Sequence, residues 1–208
     1  MSEKQFDPST RIVLALTGLK QSGKDYMIER LREHLSGKRK VVRLSFSDEL
    51  RTVSHYLFPW CPLNPGNVEK DSPIDHPKNR HNLTPRDIWK IVAHDRTGIC
   101  YVQDDVLLDM FVRNQLTSTI MNDPDAVYVI SDVRKRVEWQ MVTDKGFKMI
   151  RIMNPACQRP TKEDDVEYLI PHFKVDAEIL NSRDDESVER FMQTVKGLFP
   201  FLGETDGI

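Results

Sequence analysis

The stretch Arg11-Ile12-Val13-Leu14-Ala15-Leu16-Thr17, continued by Gly18-Leu19-Lys20-Gln21-Ser22-Gly23-Lys24-Asp25, decides the fold. Its first seven residues are largely apolar and β-branched, as in a buried strand, and after Lys24 the residues Met27, Ile28, Leu31 and Leu35 recur at helical spacing. Strand, glycine loop and helix in this order read as a P-loop. The two glycines let the backbone wrap closely around a polyphosphate, successive N–H groups and the helix N-terminus supply positive potential, and Lys24 reaches the β- and γ-phosphates. A glycine turn arising only to satisfy positive φ would not require these flanks. The eighth position departs from the usual Ser or Thr: Asp25 offers Mg²⁺ a carboxylate, directly or through water.

Outward from this loop the chain alternates. Residues 40–46 read as a second strand and 48–58 as a helix with Leu50, Val53 and Leu57 on one face. Residues 59–84 carry five prolines without periodicity, and a loop of that length reads as a mobile insertion over a substrate site or a plain surface excursion. Thr84-Pro85-Arg86-Asp87 is a helix start with a capping box, and Gly98 is the expected stop. One helix is expected over 104–121, then a buried strand over 126–131 ending on Asp132. A helix over 135–145, a strand over 147–153, a charged lid candidate over 154–173, a short strand at 177–180 and a helix over 186–199 complete the pattern. The prediction is a single α/β domain over residues 1–208, a mostly parallel five-stranded sheet with helices on both faces.

Composition narrows the partners. The 208 residues are 39% hydrophobic, enough for one good core, and the net charge of -2 points to neither a nucleic-acid polymer nor a membrane as partner. Cys61, Cys100 and Cys157 are odd in number and widely spaced, which suggests reduced thiols and a cytoplasmic setting. The polar first ten residues suggest no leader, and the six histidines lack zinc-ligand spacing.

A P-loop needs a second acidic group at a neighbouring strand end to organise Mg²⁺, and Asp132 is of that type and in that place; it also suits an N-cap of the following helix. Arg134 can clamp a phosphate with its fork of donors, or lie solvated in a first helical turn. Phosphoryl transfer to an acceptor phosphate asks mainly for converging cations, and Lys24, Arg51, Arg86 and Arg134 lie at strand-to-helix junctions or helix starts. Surface ion pairing is the plainer reading of Arg51 and Arg86. Trp60, Trp89 and Trp139 offer base-stacking surfaces, though a helical tryptophan more often packs into a core.

The ordered set of Gly18 to Asp25, Phe46-Ser47-Asp48-Glu49-Leu50-Arg51, Thr84-Pro85-Arg86, Ser131-Asp132-Val133-Arg134 with Glu138, and Asp176-Ala177-Glu178-Ile179-Leu180-Asn181 resembles the bacteriophage deoxynucleoside monophosphate kinases. The resemblance implies the nucleoside monophosphate kinase-like P-loop fold, transfer of the γ-phosphoryl group of ATP to a deoxynucleoside monophosphate, and a place in the host cytoplasm. It implies that Gly18, Lys20, Gln21, Ser22, Gly23, Lys24 and Asp25 hold ATP and Mg²⁺, with Asp25 and Asp132 at the metal and Asn181 at the loop bordering the adenine. Asp48, Arg51, Arg86 and Trp89 would face the acceptor, Lys24, Asp132 and Arg134 would serve catalysis, Arg134 also touching the acceptor, and Arg159 and Lys162 would lie in the lid. Such enzymes are often dimers, so a homodimer is compatible with it. Two segments, Lys20 to Asp25 and Ser131 to Arg134, also look like animal-type phosphomevalonate kinase, and a P-loop by itself is compatible with a noncatalytic ATP-binding switch.

Overall fold

The computed structural model describes residues 11–94, 96–158, 160–161 and 167–202. Two compact units emerge: one comprises the described residues up to 44 together with those from 118 onward, and the other the described residues of 45–117.

The first unit is built on five strands, β1 (Ile12–Thr17), β2 (Val41–Leu44), β3 (Val127–Val133), β4 (Lys148–Met153) and β5 (Ala177–Leu180). They form one sheet in the order β2-β3-β1-β4-β5, and every pairing is parallel. Every residue of β1 and β3 is buried, which is why both segments read as unbroken apolar runs. On one face Leu14, Leu16, Val129, Ile150 and Ile152 pack with Met27, Ile28 and Leu31 of α1 (Lys24–His34) and with Phe191, Met192 and Val195 of α8 (Asp185–Leu198). The alternate residues Val13, Ala15, Tyr128, Ile130 and Met149 are buried too, so the opposite face is also covered. There the Tyr128 hydroxyl donates to the carbonyls of Asp123 (2.6 Å) and Thr119 (3.0 Å), the latter in α6 (Ser118–Asn122). The α/β architecture expected from the sequence is the one observed.

The second unit contains α2 (Phe46–Leu57), α3 (Pro85–Val92), α4 (Ile99–Val102) and α5 (Val106–Phe111), followed by a π-helical segment, Val112–Thr117. It has a core of its own, with Cys61, Ile88 and Val92 buried against Leu50, Val53, Phe58, Trp60, Ile74 and Leu83. The proline-rich stretch is thus the middle of a larger excursion and contributes to that core. Trp60 stacks on His76 (5.6 Å between centroids), and Asn79 ties the stretch together by donating to the carbonyls of Ile74 and Leu83 and accepting from the Leu83 N–H.

Several boundaries differ from expectation. Helix α2 begins at Phe46, inside the expected strand. Helix α3 ends at Val92 with Ala93 as its C-cap, and Gly98 is instead the N-cap of α4. The helix expected over 104–121 is broken into α5, the π segment and α6. Asp132 lies within β3, because Thr17 pairs with Val133 and its hydroxyl donates to the Val133 carbonyl (2.8 Å). The N-cap of α7 (Arg136–Asp144) is Lys135, so Asp132 is not a helix cap.

Candidate functional site

The loop between β1 and α1 holds a shape that only its sequence permits. Gly18 (φ 148°), Gln21 (φ 66°) and Gly23 (φ 93°) lie in positive-φ backbone, the kind of conformation in which phosphate-binding loops can present their N–H groups to an anion. A Cβ on Gly18 would approach the Ile152 carbonyl oxygen to 2.3 Å, and one on Gly23 would meet Asn181 Nδ2 at 2.0 Å. The cradle is therefore closed underneath by β4 and by the end of β5.

Asn181, fully buried, is the main support of that floor. Its amide donates to the Ser22 carbonyl (2.8 Å), its Oδ1 accepts the Arg183 N–H (2.9 Å), and its backbone N–H reaches the Met153 carbonyl (2.7 Å). The residue expected at the border of an adenine has its side chain committed to bracing the loop. That placement explains why the second glycine must be a glycine.

Lys24 is buried, and its ammonium donates to the carbonyls of Gly18 (2.6 Å) and Leu19 (3.0 Å). Burial, and next the nearby Arg134 guanidinium, lower its pKa to about 8 against the opposing pull of Glu167, Asp25 and Asp132. These causes show that the loop lysine, Arg134 and three carboxylates share one electrostatic neighbourhood. Arg134 is held from behind: Glu138 Oε2 accepts the N–H groups of Arg134 (2.7 Å) and Lys135 (2.9 Å). Glu138 is buried, and desolvation, followed by the charge of Asp132, raises its pKa to about 7.

Two further groups meet at Lys20. Glu167 Oε2 accepts the Lys20 N–H at 2.7 Å and its other oxygen lies 3.7 Å from the Arg134 guanidinium, while the Cys157 thiol contacts the Lys20 carbonyl at 3.2 Å. Neither contact is visible in the sequence, since Glu167 and Cys157 lie in a charged, patternless stretch more than 130 residues from the loop. Arg159 and Lys162, the expected lid residues, lie outside the described residues.

Within the second unit, Asp48, Arg51 and Trp89 come together. Arg51 lies 3.6 Å from Asp48 and its guanidinium sits over the Trp89 ring, 5.1 Å from the centroid. The Trp89 indole N–H and Arg51 Nε are buried without a hydrogen-bond partner among the described residues. Arg86 pairs with Asp71, one of its nitrogens 3.2 Å from Asp71 Oδ2. Trp60 and Trp139 are engaged elsewhere: Trp139 stacks on Phe173 and donates to the Lys174 carbonyl.

The donor set suits a nucleotide polyphosphate with Mg²⁺. Glycines that admit no Cβ, positive-φ backbone and a buried lysine suit an anion cradle. No cluster of three or more acidic, histidine or cysteine side chains suited to a metal exists among the described residues. Mg²⁺ commonly takes one or two carboxylates and completes its shell with phosphate oxygens and water, a role open to Asp25 and Asp132. No helix among the described residues is long and apolar enough to cross a membrane.

No family model matches the chain, and no curated protein matches it in sequence. Among solved structures it is similar to a cysteine-to-alanine mutant of the Mycobacterium tuberculosis APS kinase CysC, at 15% identity over 89% of this chain and 97% of that one, with a TM-score of 0.40. A likeness of that size carries no argument about what this chain binds or does.

Proposed function

We propose that the chain is a P-loop kinase that transfers the γ-phosphoryl group of Mg·ATP to a deoxynucleoside 5′-monophosphate. The carrying observation is the loop from Gly18 to Asp25, whose glycines tolerate no side chain and whose lysine shares its surroundings with Arg134 and Asp132. In this reading the loop N–H groups and Lys24 hold the ATP phosphates, and Asp25 and Asp132 would hold Mg²⁺, which would supply charge neutralisation at the phosphates. Arg134 stabilises the γ-phosphoryl group in flight. An oxygen of the acceptor phosphate, already anionic, attacks the γ-phosphorus as the bond to the β,γ-bridging oxygen breaks. ADP leaves with that electron pair, and no strong general base is needed.

The acceptor is assigned to Asp48, Arg51, Arg86 and Trp89, where stacked Arg51 and Trp89 suit a planar base or a phosphate and carry donors unpartnered among the described residues. The deoxynucleotide class rests on the ordered motifs of the sequence. Acceptor-stimulated ADP formation tests it: the protein with Mg·ATP is offered dAMP, dCMP, dGMP, dTMP, the matching ribonucleotides and phosphomevalonate separately. Turnover with deoxynucleotides is expected. Turnover with phosphomevalonate alone, or ATP binding without acceptor-stimulated turnover, would overturn the reading.

A further inference from the structure

The Lys20 N–H belongs to the loop that would receive polyphosphate, yet it is held by a carboxylate of this same chain. Glu167 makes that 2.7 Å hydrogen bond with one oxygen, places the other 3.7 Å from Arg134, and contributes to the field at the Lys24 ammonium. Only 16% of its side chain is exposed, against 39% for Arg134. A carboxylate that accepts a loop N–H and faces the two cations of the cradle has the recognition chemistry of a phosphate oxygen. It is not a surface ion pair of convenience, because its hydrogen bond goes to the loop backbone itself. The Cys157 thiol on the Lys20 carbonyl steadies the same peptide from its other side.

We propose that Glu167 is an internal counter-anion of the P-loop that sets which anions the loop accepts. It holds Lys20 and Arg134 in a ligand-like arrangement and must yield before a phosphate group takes its partners. Two anions cannot share one N–H donor and one guanidinium without strong repulsion. A singly or doubly charged anion, such as orthophosphate, gains little over the carboxylate it displaces. A nucleotide polyphosphate brings more charge and more contacts and displaces it. Glu167 thereby discriminates among donors by charge, a property additional to the cradle's shape. The donor identity in this inference rests on the kinase reading, whereas the competition for the loop does not.

The test is equilibrium binding of Mg·ATP and of pyrophosphate to the whole protein and to Glu167→Gln, which keeps an oxygen for the Lys20 N–H while removing the charge. Both ligands are expected to bind about five- to tenfold more tightly to the variant, and orthophosphate, added as a competitor, to displace Mg·ATP from the variant at concentrations that leave the wild-type complex intact. Glu167→Ala removes the side chain altogether and is expected to shift both affinities in the same direction, so the test survives if one variant fails to fold. Affinities unchanged within about twofold, or weakened, would overturn the proposal by showing that Glu167 supports the loop or the ligand and does not compete. Tighter pyrophosphate binding in a protein that phosphorylates no acceptor would uphold this inference while removing the kinase reading. Phosphoryl transfer with unaltered affinities in both variants would do the reverse.

Discussion

A methyl group at position 23 has no room. It would lie 2.0 Å from Asn181 Nδ2, and that amide cannot swing away without losing its bonds to Ser22 and Arg183, while φ is 93°. Gly23→Ala is therefore expected to cost about 2 kcal/mol or more in denaturant unfolding and to abolish detectable Mg·ATP binding. An alanine variant of native stability and affinity would show that the loop is looser than its contacts imply. Glu138 gives a pH signature. Its folded pKa of about 7 lies above the ordinary 4.5, so the folded state holds its proton more tightly than the unfolded chain, and stability falls as pH rises from about 4.5 to about 7. The loss amounts to about 3 kcal/mol at most. Glu138→Gln is expected to lack this fall, so urea denaturation at pH 4.5 and 7.5 should show the variant gaining on the wild type at the higher pH. Equal pH dependence of the two proteins would mean that Glu138 titrates normally. The glycines and Lys24 were legible in the sequence because loop chemistry depends on local spacing. Asn181 as a brace was not, because its partner Ser22 is 159 residues away and only the sheet order brings β5 beside the loop.

The cap of α3 is set by adjacent residue types alone. Thr84 accepts the Asp87 N–H and Asp87 accepts the Thr84 N–H, the reciprocal cap that the residue types announce. The helix expected over 104–121 failed at its middle, where long-range bonds reward a π-helical turn. There Gln115 donates to Glu49 (2.8 Å) and to the Ser45 carbonyl (3.0 Å) and accepts the Ser45 N–H (3.1 Å), while Asn114 donates to Glu49 (3.0 Å). The buried Glu49 carboxylate and the start of α2 depend on these two amides, whose partners lie 65 to 70 residues earlier and leave no mark in helical periodicity. Gln115→Ala, which strands a buried carboxylate oxygen and an N–H, is expected to destabilise the protein by about 2 kcal/mol, read from denaturant midpoints. A change below about 0.5 kcal/mol would mean that water or a neighbour replaces the amide. The turn between β3 and α7 belongs to the same scale. Because Arg134 acts on the charge of Lys24 and is proposed for the transfer centre, Arg134→Ala is expected to lower kcat by about 100-fold or more and to change the Kd for ATP by less than about threefold. A loss confined to ATP affinity would move Arg134 from the transfer centre to nucleotide binding.

For the whole molecule, the alternation of apolar runs with helical stripes was sufficient to reveal the α/β class, and a fully buried β1 and β3 follow from it. The separate compactness of residues 45–117 was less legible, since its small core joins Cys61, Ile74 and Leu83 from a proline-rich stretch to helical residues, with no periodic pattern to announce it. The phosphate cradle lies in the first unit, with Lys24 in the field of Arg134 and Asp132, and the Arg51–Trp89 pair proposed for the acceptor lies in the second. The most direct measurement follows the label itself: ATP carrying ³²P at the γ position is incubated with Mg²⁺, the protein and each deoxynucleoside monophosphate, with Lys24→Ala in parallel. The account predicts label in a deoxynucleoside diphosphate, formed one for one with ADP and absent with the variant. Label appearing only in orthophosphate, or equal transfer by Lys24→Ala, would contradict it.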